Sequence, residues 1–417
     1  MLSLVYHVDA NSAYLSWTAA HLLENGHPVD LREIPSAIAG DPKNRHGIIL
    51  TKSIPAKKTG IKTADTIMEA KKKCPKLVIY PPDYDLFLLC SDAMYSILSE
   101  YTPIVQRYSI DECFLDMTKN PVATSNPIRT AHEIRERIKL ELGFTVNVGI
   151  GPNKLLAKMA SEFEKPDRVH TLWQDEIPDK LWPLPASELF MVGRATTRKL
   201  KQYGISTIGD IASADIDFLK SFLKSHGQLV HDYANGIDYS PVLPNHDIAQ
   251  KGLGNSMTFA YDLRNYKELY EEALALCERV AMRLRKVHRR CSLVSMHMRS
   301  SQLLGYGHQI QLQTYIYTAS EIYDVCKHLI DEMWHGEPIR QLGVHVSGFP
   351  EDNQIQLSLF DNSNREKQEA LETAVDAVRK RYGNYSIIRG TFANTGVKPI
   401  DGGVNDGNYL MMGGYKN

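Results

Sequence analysis

Between residues 77 and 166, short apolar runs and helical periods alternate in the order β-α-β-β-α-β-α, and this order constrains the fold more than any other feature of the chain. LVIYP (77–81) reads as a strand and Asp83 to Glu100 as a helix. IVQRYSI and CFLDM read as two strands separated only by Asp111-Glu112, the spacing of a tight hairpin, although the turn lacks the usual Gly or Asn. Pro127 to Leu142 carries Pro near its first helical position and Gly143 past its end, the asymmetry of a helix. TVNVGIG follows as a strand, then NKLLAKMASEFEK as a helix closed by Pro166. A split βαβ pattern of this kind makes one antiparallel sheet with helices packed on it, an α+β domain.

Residues 1–9 read as another strand, running straight into Asp9. In a split βαβ sheet the central strands are neighbours, so a carboxylate ending one can face two at the turn of another. Three crowded acids repel unless a cation lies between them. An oxygen-rich site with an incomplete protein shell suits Mg²⁺, and two such ions about 4 Å apart stabilise the attacking and leaving oxygens of a phosphoryl transfer. Acids at strand ends are also commonly just solvated, so Asp9, Asp111 and Glu112 gain weight only from what surrounds them.

Elsewhere, Ser12 to Glu24 reads as a helix stopped at Gly26, residues 47–52 as a strand, and Thr63 to Lys73 as a helix capped by Thr63 or Asp65. Residues 173–240 carry short helices and almost no strand signal. The stretch 241–256 reads as a linker. Mixed α/β character returns over 257–350, with helices over 265–288 and 319–334 and strands SLVSMHMRS, HQIQLQTYI and RQLGVHVSGF. Beyond 350 the chain is polar apart from QLSLF and a helix over 365–381, and its last residues are expected to be a flexible tail.

At 417 residues the chain is too long for one ordinary core, and 43% hydrophobic with 23% charged residues is a globular balance. Its six cysteines are scattered without a C-x-x-C pair, which argues against a zinc site or disulfide framework and fits a reducing cytoplasm. No basic n-region opens the chain and no stretch reaches membrane-spanning length. The formal net charge of −1 does not favour nucleic-acid binding, although local patches suffice for it.

YSIDECFLD (Tyr108–Asp116) resembles the S-I-D-E-x-x-x-D signature of Y-family DNA polymerases. VDANSAY (Val8–Tyr14) is similar to that family's first motif, KKTGIKTAD (Lys57–Asp65) to its fingers motif, and VNVGIGPNKLLAKMASEFEKPD (Val146–Asp167) to its V-G-I-x-x-N-K segment. Several motifs in family order are far more specific than any alone. The resemblance implies a multidomain right-hand polymerase. Its split-βαβ palm would be 1–12 and 83–172, small fingers 13–82, a helical thumb 173–240, a linker 241–256, an α/β little finger 257–350, and a tail 351–417.

It further implies that Asp9, Asp111 and Glu112, with the Ala10 carbonyl, ligate two Mg²⁺ ions. Tyr14 would be the steric gate against ribonucleotides, and Lys57 and Lys165, with Ser53 and Thr51, would meet the incoming deoxynucleoside triphosphate. Asn11 stands where many members carry a second Asp, and Ile54 and Lys57 where many carry Tyr and Arg. The Asn and Lys variants resemble the bacterial polymerase V branch. The implied activity is error-prone, translesion synthesis on a primed DNA template.

LFMVGRATTRKLKQYGIST (Leu189–Thr207) resembles a helix-hairpin-helix, whose turn offers backbone N–H groups to a DNA phosphate. Gly193 is present, Met191 takes the place of the usual first Gly, and Lys199 is a candidate phosphate contact. A packed helical hairpin is the competing reading. Arg285 and Arg289 in RLRKVHRR either touch DNA or simply favour a helix C-terminus. Gln356-Leu357-Ser358-Leu359-Phe360 is similar to the peptide that bacterial proteins place on the sliding clamp; an edge strand is the alternative. The expected protein is a cytoplasmic monomer with no membrane partner. Its rivals are an inactive DNA- and clamp-binding regulator and a palm-type nucleotidyl cyclase.

Overall fold

The computed structural model describes residues 3–45, 47–244, 250–350, 365–393 and 395–397. They form two compact units, Met1–Ala39 with Ile49–Ile248, and Gly40–Ile48 with Ala249–Asn417.

In the first unit, β1 (Val5–Ala10) leads into α1 (Ala13–Glu24); β2 (Ser36–Ala39), β3 (Ile49–Lys52), α2 (Ile54–Lys58), α3 (Ile67–Lys73) and β4 (Val78–Tyr80) follow. Then come α4 (Tyr84–Ser99), β5 (Val105–Arg107), β6 (Glu112–Asp116), α5 (Pro121–Ser125), α6 (Pro127–Leu142), β7 (Val146–Gly151), α7 (Lys154–Ser161) and β8 (Val169–Thr171). The helices start where side chains cap them: Asp83 accepts from Leu86 N, Asn126 from Arg129 N and Asn153 from Leu156 N. Gly143 ends α6 in the left-handed region, as its position in the sequence predicts.

One sheet has the order β5-β6-β1-β7-β8, antiparallel throughout except for the β7–β8 pair. β1 is central and buried along its whole length. Tyr6, Val8 and Ala10 join the apolar core made with α1, α4 and α6, whereas Val5 packs with Phe114 of β6 and Ala157 of α7. His7 and Asp9 therefore lie on the α7 side by strand alternation.

Three expectations for this region are corrected. Val78–Tyr80 does not begin the split βαβ sheet; it runs parallel to β2 in a separate sheet of order β3-β2-β4. β2 and β8 are strands the sequence reading missed; SAIA is short and has one β-branched residue, and VHT is only three residues long. The Asp111-Glu112 turn is also wider than read. Glu112 already belongs to β6, and Tyr108–Asp111 forms the loop, with the N–H groups of Tyr108 and Ser109 both donating to Glu112 O. A two-residue hairpin turn demands positive φ, which no residue from 108 to 111 adopts. The predicted helix at Thr63 starts later, at Ile67, where Thr66 and Glu69 form a reciprocal capping box.

Residues beyond β8 build a helical layer, α8 (Arg194–Gln202), α9 (Ile208–Ser213), α10 (Ile216–Leu223) and α11 (Ser225–Ala234), around Leu200, Ile208, Ile211, Leu219 and Val230.

The second unit contains β9 (Gly252–Leu263), α12 (Tyr266–Lys286), β10 (Cys291–Ser300), β11 (Gly305–Ile316), α13 (Ala319–Met333), β12 (Ile339–Ser347) and α14 (Arg365–Tyr382). Its antiparallel sheet has the order β11-β10-β12-β9. The expected linker is shorter than read, since Gly252–Ser256 already pairs with β12. Period-two alternation on β10 sends Val294, Met296 and Met298 against α12 and α13. The six cysteines are free thiols, all buried except the half-buried Cys90.

Candidate active site

Strand register builds the site. Asp9 of β1 stands directly opposite Glu112 of β6 and, on its other flank, Asn147 of β7. Cross-strand partners share a face, so these three polar side chains form one row across the centre of the sheet. Ala10 N donates to Asp111 O at 2.9 Å, which ties the loop acid to the end of β1.

Helix α7 closes on that face. The approach depends on Gly149, where an added Cβ would lie 2.0 Å from Ala157 O and 2.4 Å from Ser161 N. With no side chain in the way, α7 brings Lys158, Ser161 and Glu162 over the acids. Lys158 Nζ lies 2.8 Å from Glu112 Oε2. Lys165 Nζ lies 2.5 Å from Asp9 Oδ2 and 2.9 Å from Glu162 Oε2.

Asp9, Glu112 and Glu162 each offer an oxygen within 4.8 Å of the others. The expected trio is thus only partly assembled: Asp9 and Glu112 meet, Glu162 joins them, and the Asp111 carboxylate instead accepts from Ser109 Oγ at 2.6 Å. Sequence reasoning missed Glu162 and Lys158. Their spacing on one helix face, four apart and directly before Lys165, was the available signal.

The electrostatics separate the acids. Burial pushes the Asp9 carboxyl up to about 7 despite Lys165, with Glu112 and Glu162 adding to the rise. Burial also raises Asp111, against the hydrogen bond from Ser109. For Glu112, burial acts upward but is outweighed by His7 and Lys158, which hold it at about 2. Burial lowers Lys165, and Asp9 and Glu162 more than offset this, so its ammonium is held above the ordinary lysine range. Acids shifted in opposite directions within one buried cluster mark it as a candidate functional site.

Tyr14, on the first turn of α1, stacks on Phe87 with centroids 4.4 Å apart and a 15° interplanar angle. Burial, then the charge of Asp111, raises its hydroxyl to about 12, so the ring is within electrostatic reach of the acids. Lys57 is exposed in the last turn of α2, and half-buried Thr51 lies on β3. Lys52, not singled out from the sequence, feels the Lys57 charge and donates to Thr63 Oγ1. Ser53 is corrected. It is buried, accepts from Ser36 N and Ala56 N, and donates to Ile34 O, so its hydroxyl is spent on capping α2.

Around Gly193, the first residue before α8, lies an open cavity of about 490 Å³ lined by Ser187, Val192, Gly193, Arg194, Thr197, Arg198 and Lys201. Met191 has φ +70°, the conformation for which a Gly is usual. Lys199 does not line this cavity; its ammonium reaches Phe222 O at 3.4 Å. In the second unit Arg285 is also corrected. It is 7% exposed and held by Glu372 and Asp376 of α14, so its charge is spent inside the fold. Arg289 donates to Pro350 O. Gln356–Phe360 lies outside the described residues.

Residues 8–162 match the model of the impB/mucB/samB family and residues 250–359 match the model of its C-terminal domain. The chain belongs to this family of Y-family DNA polymerases. A protein of Clostridium acetobutylicum named DNA polymerase IV is 44% identical over 389 residues, spanning 93% of this chain and 98% of its own. A Bacillus subtilis protein named DNA polymerase IV 1 is 36% identical and spans 93% of this chain and 92% of its own. Both names belong to the polymerase IV branch, so Asn11 and Lys57 alone were a poor guide toward polymerase V. A solved Y-family DNA polymerase chimera shares the fold at a TM-score of 0.73 and 21% identity, covering 84% of this chain and all of its own. Among the described residues no helix is long and apolar enough to cross a membrane.

Proposed function

We propose that this Y-family polymerase extends a DNA primer with deoxynucleotides, on intact and damaged template, using two Mg²⁺ ions held by Asp9, Asp111 and Glu112. One observation carries the reading: Asp9 and Glu112 face each other across β1 and β6 while Asp111 is tied to Ala10, in a chain that matches the family over both of its domains. The donor chemistry suits the ion: these three residues would offer only oxygens, too few to complete a shell, and Asp9 and Glu112 already bring theirs within 4.8 Å of each other and of Glu162. When bound, such ions supply acidification of the primer 3′-hydroxyl and neutralisation of the triphosphate.

The chain's own groups do the rest. His7 and Lys158 keep Glu112 ionised, so one ligand is ready at any physiological pH. Lys165 and Lys57 meet the triphosphate as point charges, with Thr51 beside them. The Tyr14 ring, fixed by Phe87, walls the sugar site so that a 2′-hydroxyl clashes. Gly193 with Arg194, Arg198 and Lys201 receives a DNA phosphate, with Arg289 a further contact in the second unit. Gln356, Leu357, Ser358, Leu359 and Phe360 bind the bacterial sliding clamp, whose pocket would gain about 3–5 kcal/mol from Leu359 and Phe360 before ordering costs. The enzyme works as a cytoplasmic monomer.

The test is primer extension with Mg²⁺. Asp111→Ala and Glu112→Ala should each abolish extension while primed DNA still binds. Normal extension by both would overturn the mechanism, and a cyclic nucleotide made without DNA would favour a cyclase instead.

A further inference from the structure

Two amides on neighbouring strands hold the segment that carries Lys165. Asn147 sits on β7 opposite Asp9, fully buried. Its Nδ2 donates to Ser161 O at 3.1 Å and to Glu164 O at 2.8 Å. Its Oδ1 accepts from Asn11 Nδ2 at 3.1 Å and from Arg168 N at 3.3 Å. Asn11, one residue past β1 and 8% exposed, accepts at Oδ1 from Asp167 N at 2.9 Å and from Thr145 Oγ1 at 3.0 Å. Every donor and acceptor of Asn147 is engaged, which also fixes the orientation of its amide.

The pattern of partners has a logic. The atoms held are Ser161 O, Glu164 O, Asp167 N and Arg168 N, carbonyls before Lys165 and amides after it. Lys165 is the residue between, and its ammonium reaches Asp9 and Glu162. A hydrophobic side chain at 147 would leave buried backbone groups unpaired. An aspartate would set an oxygen against two carbonyls and add a negative charge beside Asp9. Only a side chain that donates and accepts at once completes the network.

We propose that Asn11 and Asn147 are positioning residues: by pinning the backbone on both sides of Lys165, they set where its ammonium meets the incoming triphosphate. The inference rests on the reading of Lys165 as the triphosphate lysine. It requires that loss of either amide act through Lys165, on nucleotide binding, and leave DNA binding untouched.

The experiment is steady-state single-nucleotide insertion by the full chain, with KM for the deoxynucleotide and kcat measured separately. The variants are Asn147→Ala, Asn11→Ala, Asn11→Asp, Lys165→Met and the Asn147→Ala/Lys165→Met pair. Lys165→Met should raise KM about tenfold or more, and Asn147→Ala and Asn11→Ala should raise it by about the same factor with a smaller change in kcat. The double variant should be no worse than Lys165→Met, because the amide has nothing left to position. Asn11→Asp keeps the acceptor for Asp167 N but sets an oxygen against Asn147 Oδ1, so it should recover only part of the loss. If Asn147→Ala does not fold, Asn11→Ala and its partial rescue by Asn11→Asp carry the test. Fully multiplicative effects in the double variant, or an unchanged KM in both alanine variants, would overturn the positioning role. An unchanged KM in Lys165→Met would instead overturn the reading of the lysine.

Discussion

Replacing Gly149 with alanine should cripple catalysis without adding any chemistry to the site. The new Cβ would meet Ala157 O at 2.0 Å and Ser161 N at 2.4 Å, where real Cβ contacts do not fall below 3.0 Å. Both obstacles are backbone, so no side-chain rotation relieves them. Helix α7 must therefore retreat from the sheet by about 1 Å. The same retreat stretches the 2.8 Å contact between Lys158 and Glu112 beyond hydrogen-bond reach and shifts Glu162 from Asp9. Overpacking of this kind costs about 1–3 kcal/mol of stability, and two backbone clashes place it toward the upper end. A misplacement of about 1 Å at reacting groups costs roughly 100-fold in rate. Primer extension under single-turnover conditions should show that fall, urea unfolding should show the destabilisation, and affinity for primed DNA should stay within about twofold. A variant with native rate and native stability would refute the claim that α7 is pinned at Gly149 and that this pinning arranges the acids.

Tyr14→Ala should admit ribonucleotides, read as the ratio of kcat/KM for a deoxynucleotide to that for its ribo counterpart; an unchanged ratio would remove Tyr14 from the gate. Arg285→Ala should destabilise the protein by about 3 kcal/mol in denaturant titration, since it leaves Asp376 without its partner, and should leave DNA affinity as it was. Glu272, 7% exposed on α12, has its carboxyl pushed up to about 7 by burial and by Glu271. The unfolded chain ionises it from about pH 4.5 upward while the folded chain resists until about 7, so the penalty is absent at acid pH and complete above neutrality. Glu272→Gln should accordingly stabilise the fold by about 2–3 kcal/mol at pH 8 and by nothing measurable near pH 4.5. Replacing Leu359 and Phe360 with alanine should make synthesis insensitive to added clamp while basal extension persists.

The long periodic elements were legible from the chain alone. α6, α12, α13 and α14 lie within a residue or two of their sequence-read limits, because caps and apolar periods agree there. β2 was not, since SAIA takes its strand identity from β3 and β4 on either side. The acids at 9, 111 and 112 were found by motif, yet which oxygens converge depended on register and on the depth to which α7 could settle. Glu162 and Lys158 enter the site only through that packing. Arg285 shows the reverse case. A dense basic run looks like a nucleic-acid surface until a helix almost ninety residues later supplies its counter-charges, a pairing that no local pattern encodes.

That distant helix bears on how the molecule can be cut. Glu278 is 4% exposed and is met by Arg379 and Arg389, while Arg290 is gripped by Glu369. All three of those partners lie beyond residue 359, where the family's C-terminal domain match ends. A shortened version stopped at that border would strip Glu278 and Arg285 of their counter-ions inside a low-dielectric interior. Poor synthesis by such a fragment would then report an injured scaffold and say nothing about whatever the missing residues bind.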